Sequence, residues 1–464
     1  MDTQRATRIP QVTVDGAKVN AFKTSLRGQL ITPADEGYEA ARAIWNVMID
    51  RRPALIAKCV EVDDVVNAVR FAREQKLDVA IRGGGHGVAG NAVCDGGLMI
   101  DLSPMQGLQI DPDRRVARAE AGLTWGTFDR ETQACGLATT GGIVPTTGIA
   151  GLTLGGGLGY LMRSCGLACD NVLSAEVVTA DGRVLTASAR ENADLFWGLR
   201  GGGGNFGIVT KLEYRLHPVG PTVLGGLIIH PLDQGREAAR FYRDFANAAP
   251  DELITHLSFA TSPKGHPVVA FVVCYNGPVE EGERVIKPLR KFGSPLADMV
   301  APVSYLEMQA RAEPFYPLGR RHYWKSSFVK EFSDNAIETM LSHFAAVPSP
   351  HSGAALEQLG GAMGRVGADE TAFGDRSAPF SLIITSQWEN PAETAQNVKW
   401  ARDFWTAMQP FSKEAAYINY LDAGDEARVK AAFSDSTFER LVALKNTYDP
   451  TNFFHLNQNI SPEE

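Results

Sequence analysis

Residues Arg82–Gly90 read RGGGHGVAG, a single imidazole set in a run of glycines directly after LDVAIR. Imidazole is a neutral base and nucleophile near pH 7. A glycine loop lets the backbone approach a ligand closely and turns successive N–H groups toward an anion. His86 is thus a candidate reactive group beside an anionic ligand, although a lone histidine in such a loop also reads as an ordinary surface residue. Two more clusters carry the same signature, GGIVPTTGIAGLTLGGGLGYL at Gly141–Leu161 and GGGGNFG at Gly201–Gly207. Tight turns account for one such cluster more readily than for three.

Gly85, Gly87 and Gly90 formally match the dinucleotide pattern G-x-G-x-x-G, as do Gly202, Gly204 and Gly207. That pattern needs its glycines to open a helix inside a βαβ unit. After Gly90 the chain reads NAVCDGGLMIDLS, which reaches a strand with no room for a crossover of about 10–12 residues. The second match also runs straight into a strand, IVTKLEYRL. Both contexts argue against a nicotinamide site.

The elements that hold these loops follow from apolar periodicity. EAARAIWN reads as helix, ALIAKC as strand, DDVVNAVRFAREQ as a helix capped by Asp63, and LDVAIR and GGLMIDLS as strands. A hairpin is expected around Asp111–Asp113, a helix over Thr124–Ala134, and a second hairpin with an Asp181-Gly182 turn. ENADLFWGLR is a helix. From about residue 219 to 415 the glycine clusters nearly vanish. Strands (TVLGGLIIH, PVVAFVVCY, HYWKSSFV, FSLIITSQW) alternate there with amphipathic helices, as in a second unit with its own sheet. In RRHYWKSSF, Arg321, Tyr323, Lys325 and Ser327 would share one strand face. The run AAYINYLD would send Tyr417, Asn419 and Leu421 to one face and Ile418 and Tyr420 to the other.

The bulk numbers narrow the partners. With 464 residues, two or three domains are expected at about 150 residues each. A net charge of −9 without a basic run argues against nucleic acid and anionic membranes. No apolar run is long enough to span a bilayer. MDTQRATRIPQV lacks the apolar core of a secretory signal, so a cytoplasmic protein is expected. The six cysteines have no framework spacing and read as reduced thiols. The pair Cys165/Cys169 has no histidine or second pair near it, so no metal site is expected.

Taken in order, RGGGH, IDLS, GG-x-x-PTTG-x-AG-x-x-x-GGG-x-G, LFWGLRGGGGNFGIVT and YDPTNFFHLNQNI resemble the FAD-linked oxidases of the vanillyl-alcohol-oxidase and p-cresol-methylhydroxylase superfamily. The branch is that of berberine-bridge-like enzymes, with the texture of its bacterial 6-hydroxynicotine-oxidase-like members, and the resemblance runs from about residue 35 to the end. It implies an α+β protein: a two-part FAD-binding domain over 1–218, an α/β substrate domain over 219–415 whose antiparallel sheet covers the flavin, and a segment 416–464 that returns to the first domain. It also implies that His86 is bonded to the flavin 8α-methyl group. FAD would then be surrounded by Arg82, Gly83, Gly84, Gly85 and Gly87; by Gly142, Thr146, Thr147, Gly148, Gly151, Gly155 and Gly159; by Asn205, Gly207 and Val209; and by Asn419, Asn457 and Asn459. Doubly tethered members carry a cysteine shortly after the proline–threonine pair, where PTTGIAG has Gly148, so a single tether is implied.

The activity implied is hydride transfer from a small alcohol, sugar or amine to the flavin, with O2 the expected acceptor. The second tyrosine of the family's Y-x-N-Y motif marks Tyr420 as the base, a phenol whose pKa of about 10 must then be depressed. Lys325 would stand by the flavin N1–C2=O edge and stabilise its reduced anion. Tyr160 and Met162 would line the pocket. Each has a plainer reading, Tyr420 as a packed aromatic and Lys325 as a solvent-facing cation. A rival function, a flavin-bearing drug-binding or resistance protein without net turnover, stays open, as does a homodimer.

Overall fold

The computed structural model describes residues 15–422 and 424–463. The opening residues, on which the expectation about a secretory signal rests, lie outside the described residues. The first half is built on two sheets. The alternately charged and apolar helix Val62–Gln75 buries Val65, Val66, Ala68, Val69 and Ala72 against the strands Leu55–Lys58, Leu98–Asp101 and Val79–Arg82, which pair in parallel in that order. Asp63 does not cap that helix. It lies in the first turn, where its charge still complements the helix N-terminus. The neighbouring Asp64 instead accepts from the backbone N–H groups of Arg27, Gly28 and Val60. The five-stranded antiparallel sheet runs in the order Leu108–Asp111, Val116–Glu120, Ile208–Arg215, Val172–Val178, Val184–Ser188. The expected hairpin turn is present at Asp181-Gly182, with Gly182 at φ 77°.

These two sheets share one apolar core with residues from the C-terminal segment, among them Ile418, Leu441 and Ile460. The tail thus packs back onto the first half of the chain. Part of the glycine-rich stretch is not loop: Ile149–Leu154 forms a short helix, entered through Gly148.

The second half holds an eight-stranded sheet, antiparallel throughout. Its order is Ala297–Asp298, Thr222–Pro231, Pro267–Tyr275, Leu253–Thr261, Gly353–Gln358, Phe380–Trp388, Arg321–Val329, with Ala301–Ser304 also pairing Thr222–Pro231. One face buries Phe271, Leu257, Leu356, Leu382 and Ile384 under residues of four helices, including Tyr242, Ile286, Met340 and Phe404. Strand side chains alternate between faces. The opposite face therefore carries Ala270, Val272, His256, Glu357, Ile383 and Trp324, and it closes over the glycine loops of the first half. Among the described residues no helix is long and apolar enough to cross a membrane.

Candidate functional site

Between the glycine loops and the large sheet lies a cavity of about 1020 Å³. The strand Val79–Arg82 delivers the first loop to its wall, where Gly83, Gly84, Gly85, His86 and Gly87 all face the cavity. No backbone N–H from Gly83 to Ala89 donates to a protein acceptor among the described residues. Unspent donors in a row are costly unless an anion or water meets them, which is the behaviour of an anion cradle. Two glycines make the crossing of loops possible. A Cβ on Gly84 would stand 2.7 Å from the Gly148 Cα, and one on Gly148 would stand 2.9 Å from the Gly84 Cα. The contact is backbone against backbone, so neither position admits a side chain without moving a loop. The donors and the crossing together fit a dinucleotide with a pyrophosphate.

His86 shares a 2.8 Å hydrogen bond between Nε2 and the Thr146 hydroxyl. Its ring stacks on Trp45 at 4.6 Å, and Trp45 also stacks against His322 at 3.6 Å. Burial pushes the His86 pKa down to about 4, so the imidazole is neutral at physiological pH. With Nε2 engaged, Nδ1 is the ring nitrogen without a protein partner among the described residues.

From the second cluster, Gly142, Thr147, Gly148, Gly151 and Gly159 line the cavity, with Tyr160 and Met162 beside them. Gly155 instead lies under Asn419, whose side chain donates to the Leu152 carbonyl and to the Tyr417 hydroxyl. Gly207 and Val209 line the cavity from the third cluster, and Asn419 and Asn457 from the tail. The Asn457 amide donates to the Gly204 and Phe454 carbonyls while its buried oxygen has no partner.

Several expected residues stand elsewhere. Lys325 is on the strand Arg321–Val329 as expected, but on its helix-covered face, paired across to Ile384. There its ammonium meets Asp425 at 2.5 Å and lies 5.8 Å from the Trp405 ring. A buried cation needs its counter-charge, and this one is spent on the tail rather than on a cofactor. Asn205 staples the tail: its amide donates to Gly202 and Gln458 carbonyls, and its oxygen accepts from the Ile460 N–H. Arg82 holds the Ala41 carbonyl at 2.7 Å and approaches Asp101, and Asn459 donates to Ser461. None of these four is on the cavity wall.

Tyr420 is on the wall, but not through strand alternation. Ile418–Tyr420 is a single 3₁₀ turn. A three-residue repeat puts Tyr417 and Tyr420 on the same side, with ring centroids 4.8 Å apart. Nor is its phenol depressed. Burial and the neighbouring Glu357 charge push its pKa well above the usual value. The Tyr420 hydroxyl donates to Glu357 Oε1 at 3.0 Å, while Oε2 is buried without a partner.

Sequence reasoning overlooked Glu357 and the strand Gly353–Gln358 that carries it. Directly across the ladder sits His256, on the equally overlooked strand Leu253–Thr261. The His256 ring stacks on Tyr160 at 5.9 Å, and burial lowers its pKa to about 4. Burial likewise raises Glu357 from 4.5 to about 7, with the Tyr420 hydroxyl opposing. A carboxyl whose folded pKa is raised contributes full stability below its unfolded pKa and loses it as pH climbs through the folded one. Glu357→Gln, a neutral isostere, should therefore raise thermal stability at pH 8 and leave it nearly unchanged at pH 4. The difference is on the order of 3 kcal/mol for a shift from 4.5 to about 7. Thermal melts at the two pH values check this.

The comparisons with known proteins agree with this geometry. A family model described as FAD binding domain matches residues 53–188, and one described as berberine and berberine like matches 416–461. The chain is similar to the uncharacterised FAD-linked oxidoreductase YgaK of Bacillus subtilis, 33% identical over 453 residues, 95% of this chain and 98% of that protein. It is 31% identical to (R)-6-hydroxynicotine oxidase of Paenarthrobacter nicotinovorans over 455 residues, 96% and 98% of the two chains. The crystal structure of 6-hydroxy-D-nicotine oxidase from Arthrobacter nicotinovorans superposes with a TM-score of 0.88 at 29% identity, covering 95% of this chain and 99% of that one.

Proposed function

Since this chain belongs to the berberine-bridge-like family of FAD-linked oxidoreductases, we propose that it oxidises a CH–OH or CH–NH group of a small organic molecule on a flavin tethered singly to His86, and that Glu357 and Tyr420 together remove the proton. The observation that carries the reading is the Tyr420–Glu357 hydrogen bond of 3.0 Å, opening into the same cavity as the His86 loop. Bound FAD supplies a two-electron acceptor for the hydride and passes the electrons on, with O2 the proposed final acceptor.

The residues around it have separable tasks. The Gly83–Gly87 and Gly148 backbones would hold the pyrophosphate, and Val209 and Asn457 border the remainder of the chamber. A phenol held above its usual pKa is a poor free base, so Tyr420 acts as a relay. It accepts the proton from the substrate oxygen or nitrogen while its own proton passes to ionised Glu357. The single tether is supported by cysteine placement: among the described residues no cysteine lines the cavity.

The test is anaerobic mixing of the purified yellow protein with candidate alcohols and cyclic amines, 6-hydroxynicotine included, followed by admission of air. Loss of flavin absorbance, its return with O2 and one peroxide per turnover are the expected result. Bleaching that returns only with an artificial acceptor would assign a dehydrogenase. A flavin that no alcohol, sugar or amine bleaches would remove the reading.

A further inference from the structure

Arg311 is on the cavity wall, yet its guanidinium makes no hydrogen bond or ion pair among the described residues, and its Nε is fully buried. Arginines elsewhere in the fold leave single nitrogens unpaired, as Arg376 and Arg428 do, but each is anchored through another. Arg376 pairs with Asp170 at 2.7 Å, Arg163 donates to the Leu253 carbonyl at 2.9 Å, and Arg428 donates to the Ser326 carbonyl at 2.9 Å. The natural partner for Arg311 would be Glu307, one helical turn earlier. That carboxylate is taken by the Ser304 capping box, where it accepts from both the backbone N–H and the hydroxyl of Ser304 at 2.9 Å. A buried N–H left without an acceptor costs about 1–3 kcal/mol. In a cavity, this marks a group whose partner arrives with the ligand.

The surroundings say what kind of partner. Glu357 is the one carboxyl lining the cavity among the described residues, whereas Arg311 and Arg320 both bring guanidinium groups. Arg320 already leans on Glu389 at 3.6 Å. The charges of Arg311 and Glu357 both act, in opposite directions, on the buried Tyr160 phenol. The sheet's contribution to the wall is mixed, with Val268, Ala270, Val272 and Ile383 beside His256, Ser258, Thr385 and Gln387, while Pro314 and Phe315 come from the segment that carries Arg311.

We propose that Arg311 recognises a carboxylate, or an equally delocalised oxyanion, on the substrate, which is therefore an organic acid rather than a neutral alcohol or sugar. This deepens, and rests on, the reading of the cavity as a substrate chamber. A planar guanidinium fork matches a carboxylate through two parallel N–H···O bonds. The oxidisable carbon is then held by its far end, while Tyr420 and Glu357 meet the group that loses the proton.

Calorimetric titration of the holoenzyme with benzoate and with its neutral isostere benzamide tests this, and it reads binding whether or not any compound bleaches the flavin. Benzoate should bind at least tenfold more tightly than benzamide. Arg311→Gln should weaken benzoate by roughly ten- to a hundredfold, leaving benzamide within a factor of two. Arg311→Lys should recover part of the loss, since it restores charge but not the fork. The side chain makes no protein bond, so the melting temperature of either variant should not fall. Equal binding of the two probes, no binding of either, or an unaltered preference in Arg311→Gln would overturn the proposal. A shifted flavin reduction potential with the benzoate preference intact would overturn it too, by assigning the guanidinium to the flavin edge.

Discussion

Tyr420→Phe should slow substrate-driven bleaching of the flavin by about 10²–10⁴-fold, the usual worth of a positioned acid–base group, with the flavin still bound. Removing the hydroxyl breaks the path from substrate to Glu357 and leaves both carboxyl oxygens unpartnered by tyrosine. Glu357→Gln should cost as much, because the amide cannot take the proton that Tyr420 passes on. Residues that act as one unit are not additive, so the double variant should be scarcely slower than either single one. The pH profile separates the relay from a lone phenol. Glu357 must be ionised to accept, and burial places its pKa at about 7. The bleaching rate should therefore rise with pH through about 7 and level above it, and Glu357→Gln should erase that limb. Stopped-flow anaerobic reduction at several pH values measures all of this. Fast bleaching in Tyr420→Phe combined with loss in Glu357→Gln would make the carboxylate the direct base. A protein that merely sequesters its ligand would show unchanged affinity and no bleaching in any form.

Much of the cofactor half was legible because glycine has few reasons to cluster. The RGGGH loop and the 141–161 segment announce themselves through backbone demands that composition records directly: Gly84 and Gly148 touch, and no other residue fits at either. The substrate half was legible as strands but not as faces. Period-2 alternation divides Arg321–Val329 into two sides without saying which side a helix covers, and this sheet is covered on both. Lys325 was assigned to the cavity when its face, shared with Tyr323, lies under the helix that holds Trp405. The two overlooked strands carry the two overlooked groups. GAALEQ is made of good helix formers, and only pairing to Leu253–Thr261 and Phe380–Trp388 on either side makes it extended. In LITHLSFAT the polar positions His256 and Ser258 would be read as facing solvent, whereas they face an enclosed chamber. Tyr420 was found through its motif, but its strength as a base was misjudged, since nothing local in YINY reveals a carboxyl 63 residues earlier in the chain.

His86→Ala and Gly148→Ala should fail in opposite ways, and the contrast isolates the tether from the cradle. The imidazole contributes a stacked ring and one hydrogen bond to Thr146, while the unspent N–H groups of the loop belong to the backbone and survive its removal. His86→Ala should therefore still be purified yellow. On acid precipitation its colour should move entirely to the supernatant, where the wild type keeps it in the pellet. Gly148→Ala keeps the imidazole but forces a methyl group into the Gly84 backbone, where neither neighbour is a side chain able to swing away. Overpacking against fixed backbone costs about 1–3 kcal/mol or more, and the loop that must move to relieve it is the one that presents the donors. That variant should be purified largely colourless and take up added FAD weakly, despite its intact histidine. Colour retained in the pellet of His86→Ala would move the covalent bond to another residue. A fully yellow Gly148→Ala would mean that the crossing of the two loops is not what shapes the pyrophosphate cradle, leaving the N–H groups of residues 83–89 to hold the anion without it.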